Sequence, residues 1–197
     1  MPDLISGSYM PGDVYWFKGV PGGFEKGRAI PETTPEQTER AATAASLADW
    51  DGDGDLDMLV GNIWGGVHWI ENRGDAKRFR FAAREPILVG GKALQVESGD
   101  THPVAVDWDG DGVLDLLIGY EDGGVLFCKG RRRGSGPPVF DTMEKLTAGD
   151  KEISLGGRTK IFVTDWNEDG LLDLLAGNFD FGSDDYVGNV YVMLRRR

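Results

Sequence analysis

The apolar positions of this chain fall in short runs separated by glycine-rich polar turns, and few stretches free of Gly and Pro are long enough for a helix. Val14-Tyr-Trp-Phe17, Val67-His-Trp-Ile70, Val125-Leu-Phe-Cys128 and Val190-Tyr-Val-Met193 are brief and rich in β-branched and aromatic residues, which predicts strands. Ahead of them lie runs that end in glycine at Gly7, Gly61, Gly119 and Gly177. Earlier still come Ser46-Leu-Ala48, Val104-Ala-Val106 and Phe162-Val-Thr164. Weaker fourth strands are expected around Arg78–Phe81 and Val139–Phe140. The third run of each group is apolar at consecutive positions instead of alternating, so both faces of that strand must be covered.

The groups repeat. Asp49-Trp-Asp-Gly-Asp-Gly-Asp-Leu-Asp57 aligns without gaps to Asp107-Trp-Asp-Gly-Asp-Gly-Val-Leu-Asp115 and to Asp165-Trp-Asn-Glu-Asp-Gly-Leu-Leu-Asp173, each copy 58 residues after the last. Asp3-Leu-Ile-Ser-Gly7 matches the end of such a unit, which reads as a start inside a repeat. Small four-stranded sheets stacked face to face around an axis give every strand the cover the pattern demands, and propeller blades are such sheets. The expected fold is therefore all-β, a β-propeller-like array of four-stranded blades with two complete and two partial, an incomplete propeller. Residues 1–197 form a single repeat domain, with a partial blade at 1–30, blades at 44–90 and 102–148, and a partial blade at 160–197. Pro31–Arg40 and Arg131–Pro138 read as surface connections between blades.

Composition sharpens this picture. Thirty glycines and nine prolines suit many turns and short elements. A formal net charge of −12 repels nucleic acid and anionic lipid, so neither is an expected partner. One cysteine excludes an internal disulfide framework, and no run is long enough to span a membrane as a helix. Met-Pro-Asp-Leu-Ile has neither the basic nor the apolar region of a signal peptide.

The acidic residues are clustered at fixed spacing, and that is where chemistry is expected. A hard divalent cation takes six to eight oxygen ligands, and a loop can supply side chains at positions 1, 3, 5 and 9 with a backbone carbonyl at 7. Asp49, Asp51, Asp53 and Asp57 meet that pattern, with the carbonyl of Asp55. Asp107, Asp109, Asp111 and Asp115 repeat it with Val113, and Asp165, Asn167, Asp169 and Asp173 with Leu171. Asp-Gly pairs alone would make turns, but a turn gains nothing from four crowded carboxylates that repel one another. Calcium is the expected ion, about three per chain, with the third loop weaker because Asn167 removes one charge. An EF-hand would need Glu at position 12, where Val60, Ile118 and Ala176 stand.

The strand–DxDxDGxxD–strand unit with its following glycine resembles the FG-GAP/VCBS repeat of integrin α-like propellers. Phe181-Gly182 corresponds to the Phe-Gly element, and no Gly-Ala-Pro occurs. The resemblance implies a calcium-stabilised propeller, a secreted, extracellular or periplasmic location, and a role in adhesion or in binding a protein or glycan ligand. About three and a half units are fewer than propellers usually have, so a homodimer or a longer chain is expected to complete the ring.

No acid/base pair, nucleophile motif or open transition-metal cluster stands outside the loops, so a binding module is expected in preference to an enzyme. The alternatives are a domain of a calcium-dependent polysaccharide-active enzyme, or a purely structural fragment of a longer propeller. Trp50, Trp108 and Trp166 are read as packing between blades or as a ring stacking on sugars. His68 and Cys128 are read as strand fillers. The clusters Arg131–Arg133 and Arg195–Arg197 are read as solvated ends or an anion-binding rim.

Overall fold

A computed structural model describes residues 1–30, 41–75, 78–179 and 187–196. Pro31–Arg40 and Phe181-Gly182 lie outside the described residues. Among the described residues there is no helix, and the strands form four successive antiparallel units.

In the second unit Ala44–Ala48, Asp57–Gly61, Val67–Ile70 and Glu85–Pro86 pair in chain order. His102–Val106, Asp115–Gly119, Val125–Cys128 and Glu144–Lys145 repeat the pattern in the third. The first unit has Leu4–Gly7, Val14–Phe17 and Arg28–Ala29, and the fourth has Gly157–Thr164, Asp173–Phe179 and Val190–Met193. The fold is of the propeller type, and no closed barrel forms among the described residues.

The consecutive apolar positions sit on the second and third strands because each sheet is a filling between neighbours. Met58 and Val60 face the first unit with Val14 and Ile30, whereas Leu59 between them faces the third unit with Leu116 and Ile118. Leu117 then points the opposite way, onto Leu174 and Ala176 of the fourth unit. Alternation still holds along each strand, but both of its faces are core. Full burial of such a side chain stabilises by roughly 1.5–3 kcal/mol. On the far face of the fourth unit Phe162, Val190 and Val192 are exposed.

The fourth strands differ from expectation. Arg78 and Phe81 make only isolated bridges to Asp75 and Asn72, and Val139–Phe140 belongs to a separate small sheet with Gly130–Arg131, Leu88–Val89 and Lys92–Ala93. That sheet ties the second unit to the third through the parallel pair Val89 and Phe140. The true fourth strands are charged and only two residues long, Glu85–Pro86 and Glu144–Lys145, so they give no hydrophobic signal. Short charged strands of this kind suit an outer edge.

Two contacts recur at the joints between units. A Cβ on Gly61 would lie 2.2 Å from the Thr101 carbonyl oxygen, and one on Gly119 would lie 2.3 Å from that of Thr159. Glycine therefore ends the second strand so that the next unit can approach its backbone. The Thr43 hydroxyl donates to the Gly12 carbonyl at 2.5 Å and the Thr101 hydroxyl to that of Gly66 at 2.9 Å. Thr159 holds the same place, fully buried, with no hydroxyl partner among the described residues. His102 adds a link of its own, its Nδ1 accepting the Ile161 amide at 3.0 Å.

Burial, aided by the Lys160 charge and opposed by that of Asp100, lowers the His102 pKa from 6.5 to about 4. The fold thus accommodates neutral imidazole, while the unfolded chain takes up a proton near pH 6.5. The stabilisation is complete above that value and is lost as pH falls toward 4. His102→Asn keeps an acceptor for the Ile161 amide without the titration. Urea midpoints measured from pH 7 to 4 should show the wild type losing about 2–3 kcal/mol more than this variant.

Candidate metal centre

Each loop is a ladder of side-chain oxygens accepting backbone amides two residues ahead. In the third unit Asp109 accepts Asp111 N at 3.3 Å and Asp111 accepts Val113 N at 3.0 Å. Asp107 accepts Gly110 N and Gly112 N, both at 2.9 Å, which folds the loop back on its own first residue. Asp51 and Asp53 form the same rungs in the second unit, and Asn167 and Asp169 in the fourth. The wrap needs left-handed backbone at position 6, where Gly54, Gly112 and Gly170 have φ of 97°, 83° and 83°. Position 4 is left-handed as well, and there Glu168 adopts φ 59° in place of the glycine of the other loops.

This geometry gathers carboxylate oxygens. Those of Asp49, Asp51 and Asp53 lie within 4.8 Å of one another, as do those of Asp107, Asp109 and Asp115. Both groups could hold a metal ion, and their donors are all oxygen, with no sulfur or imidazole, which suits a hard cation. The second group already holds a stand-in. The Lys129 ammonium contacts Asp109 and lies 3.0 Å from Asp111.

The ninth-position aspartates do more than face the loop. Asp57, Asp115 and Asp173 are buried, and each accepts amides from opposite sides, Asp115 also that of Asp109 at 3.4 Å. One comes from the tryptophan after the first loop residue: Trp50 at 3.2 Å, Trp108 at 3.0 Å and Trp166 at 3.0 Å. The other comes from just beyond the third strand: Asn72 at 2.7 Å, Gly130 at 2.7 Å and Arg195 at 2.8 Å. The carboxylate staples the loop to the sheet. Burial nevertheless pushes the Asp57 carboxyl up to about 6, helped by the Asp51 charge and resisted by the donated amides. Asp115 is raised for the same first reason, and Asp51 by burial together with the charges of Asp53, Glu71 and Asp49.

These features settle the family. The FG-GAP-like repeat pattern matches residues 1–60 and 49–118, more than half of the sequence. The chain belongs to the FG-GAP-like repeat family. It is also 32% identical over 141 residues to cartilage acidic protein 1 of Xenopus tropicalis, and equally to that of Mus musculus. Each alignment covers 68% of this chain and 20% of the relative, so the FG-GAP chain spans about a fifth of the length of the curated proteins it matches.

Within this FG-GAP array the remaining residues separate. Trp50 is 3% exposed and stacks on Phe140 with ring centroids 5.8 Å apart. Trp108 lies under the Arg195 guanidinium at 4.8 Å, and Trp166 is 58% exposed. Packing between units thus accounts for the first two. Arg195 is used in a joint, and Arg131 pairs with Asp141. Cys128 is fully buried and its thiol is pushed up to about 12 by burial and the Asp115 charge, which leaves it unreactive. Sequence reasoning missed the joint threonines and the double role of the ninth aspartate. Thr43, Thr101 and Thr159 recur at the same 58-residue interval as the loops, and that signal could have found them.

Asp115→Asn keeps one acceptor oxygen and turns an N–H toward the second amide. In EDTA it should destabilise the protein by about 2–3 kcal/mol, the cost of an unsatisfied buried pair, as read from the urea midpoint.

Proposed function

We propose that the chain is a calcium-stabilised propeller module that works outside the cytoplasm by binding a protein or glycan ligand, without catalysis of its own. The observation that carries this reading is the set of three equally spaced loops, two of which bring carboxylate oxygens within 4.8 Å of one another. Asp49, Asp51, Asp53 and Asp57 with the Asp55 carbonyl would hold the first ion. Asp107, Asp109, Asp111 and Asp115 with Val113 would hold the second, and Asp165, Asn167, Asp169 and Asp173 with Leu171 the third. Calcium bound there neutralises carboxylates that burial and mutual repulsion otherwise destabilise.

Extracellular calcium modules bind with Kd of about 10⁻⁴–10⁻³ M, so such a fold is firm only where calcium is abundant. That dependence supports the location, and the ligand surface belongs to the loops along the rim. The exposed apolar face of the fourth unit, with Phe162, Val190 and Val192, is of the kind that packs on a further blade. A second copy or a longer chain would supply it.

The test is a thermal melt in EDTA, in millimolar Ca²⁺ and in Mg²⁺ at matched ionic strength. Millimolar calcium at about ten times its Kd stabilises by about 1.4 kcal/mol per site, and a rise in Tm specific to Ca²⁺ is expected. Asp111→Ala should reduce that rise while changing the EDTA melt little. An unchanged calcium response would remove the ligand assignment.

A further inference from the structure

We propose that the residue directly after the third strand of each unit sets the order in which the loops take calcium, with Lys129 a tethered cation that holds the second loop back. The inference rests on the calcium reading above and adds to it a graded response written into one position of the repeat.

Register makes that position equivalent in all units. Ile70, Cys128 and Met193 end their strands opposite Met58, Leu116 and Leu174, the residues that follow the three stapling aspartates. The next residues, Glu71, Lys129 and Leu194, therefore each precede the residue whose amide bonds the stapling aspartate of their unit. One is an anion, one a cation and one neutral.

At the second loop the Lys129 ammonium reaches both Asp109 and Asp111. Two of the four carboxylates expected to bind an ion are thus already engaged, and a cation entering the loop must displace the ammonium or bear its repulsion. Lys129 is half-exposed, so the side chain has water to swing into and the block is graded, not absolute.

At the first loop the relation is reversed. Glu71 stands at the same position, one residue before Asn72, whose amide bonds the stapling Asp57. The Glu71 carboxylate is bonded by Arg73 at 2.6 Å, which fixes it in place and offsets part of its charge. A cation entering here meets no ammonium, and one more negative group beside the five aspartates of the loop. The third loop has no charge at the position and one carboxylate fewer, with Asn167 donating to Asp169 at 3.0 Å.

Two consequences follow from Lys129 standing where the first loop has Glu71, and from Val113 standing where it has Asp55. The first loop is the tighter calcium site. The second loop, with one of its four charges offset by its own lysine, repels itself less than the first without the metal.

Titration of the EDTA-stripped full chain with calcium, followed by the amide NMR signals of Gly54, Gly112 and Gly170, reads each loop separately. The Gly54 midpoint should lie below that of Gly112. Lys129→Met should lower the Gly112 midpoint by roughly threefold to tenfold, the scale of a partly exposed ion pair, and leave Gly54 alone. Glu71→Gln should raise the Gly54 midpoint and spare Gly112. Lys129→Arg, which keeps the charge, should stay near wild type and guards against a merely structural effect. Equal wild-type midpoints, or a Gly112 midpoint unmoved in Lys129→Met while all loops still respond, overturns the proposal and spares the calcium reading. No response at any of the three glycines overturns both.

Discussion

The structure depends on a buried carboxylate that appears once per repeat. Taking such a group out of water costs several kcal/mol unless its oxygens are well bonded. Asp57, Asp115 and Asp173 meet that demand with at least two amides each, one from the start of the loop and one from beyond the third strand. The bond pair therefore fixes three things together: the entry to the loop, the hairpin it closes and the strand that follows. The loop carboxylates converge because this anchor sets where the loop begins and ends.

Stacking then follows from the faces that the anchored hairpins present. With Met58 and Val60 on one side and Leu59 on the other, a unit is stable only between neighbours. The glycines at positions 61 and 119 let those neighbours approach to backbone contact. Packing of this kind does not tolerate a side chain at the joint. It is as specific as the loop itself, although it carries no charge and no chemistry.

Much of this was legible in the sequence, and the limits are physical. Period, loop chemistry and consecutive apolar runs identified the units, because each leaves a strong local pattern. Glu85–Pro86 and Glu144–Lys145 left none: edge strands held by backbone bonds need no hydrophobic side chains. His102 carries no sequence signal of its role because its partner, the amide of Ile161, is invisible in a sequence. The ninth aspartate was read as a ligand from its spacing, and its amide bonds emerged only with the sheet in place. Lys129 lay in the alignment beside Glu71 and Leu194, but a strand-end position carries no meaning until the register places it over a loop.

The tryptophans next to the loops carry a further consequence. Each has its amide pinned to the stapling aspartate of its own unit, yet Trp50 is sealed against Phe140, Trp108 sits beneath a guanidinium and Trp166 faces water. An indole in an apolar setting emits at shorter wavelength than one in water, and a cation over the ring perturbs its excited state. The three repeats, nearly identical in sequence at this point, are therefore optically distinct, and the molecule carries a separate fluorescent gauge beside each of its acidic loops.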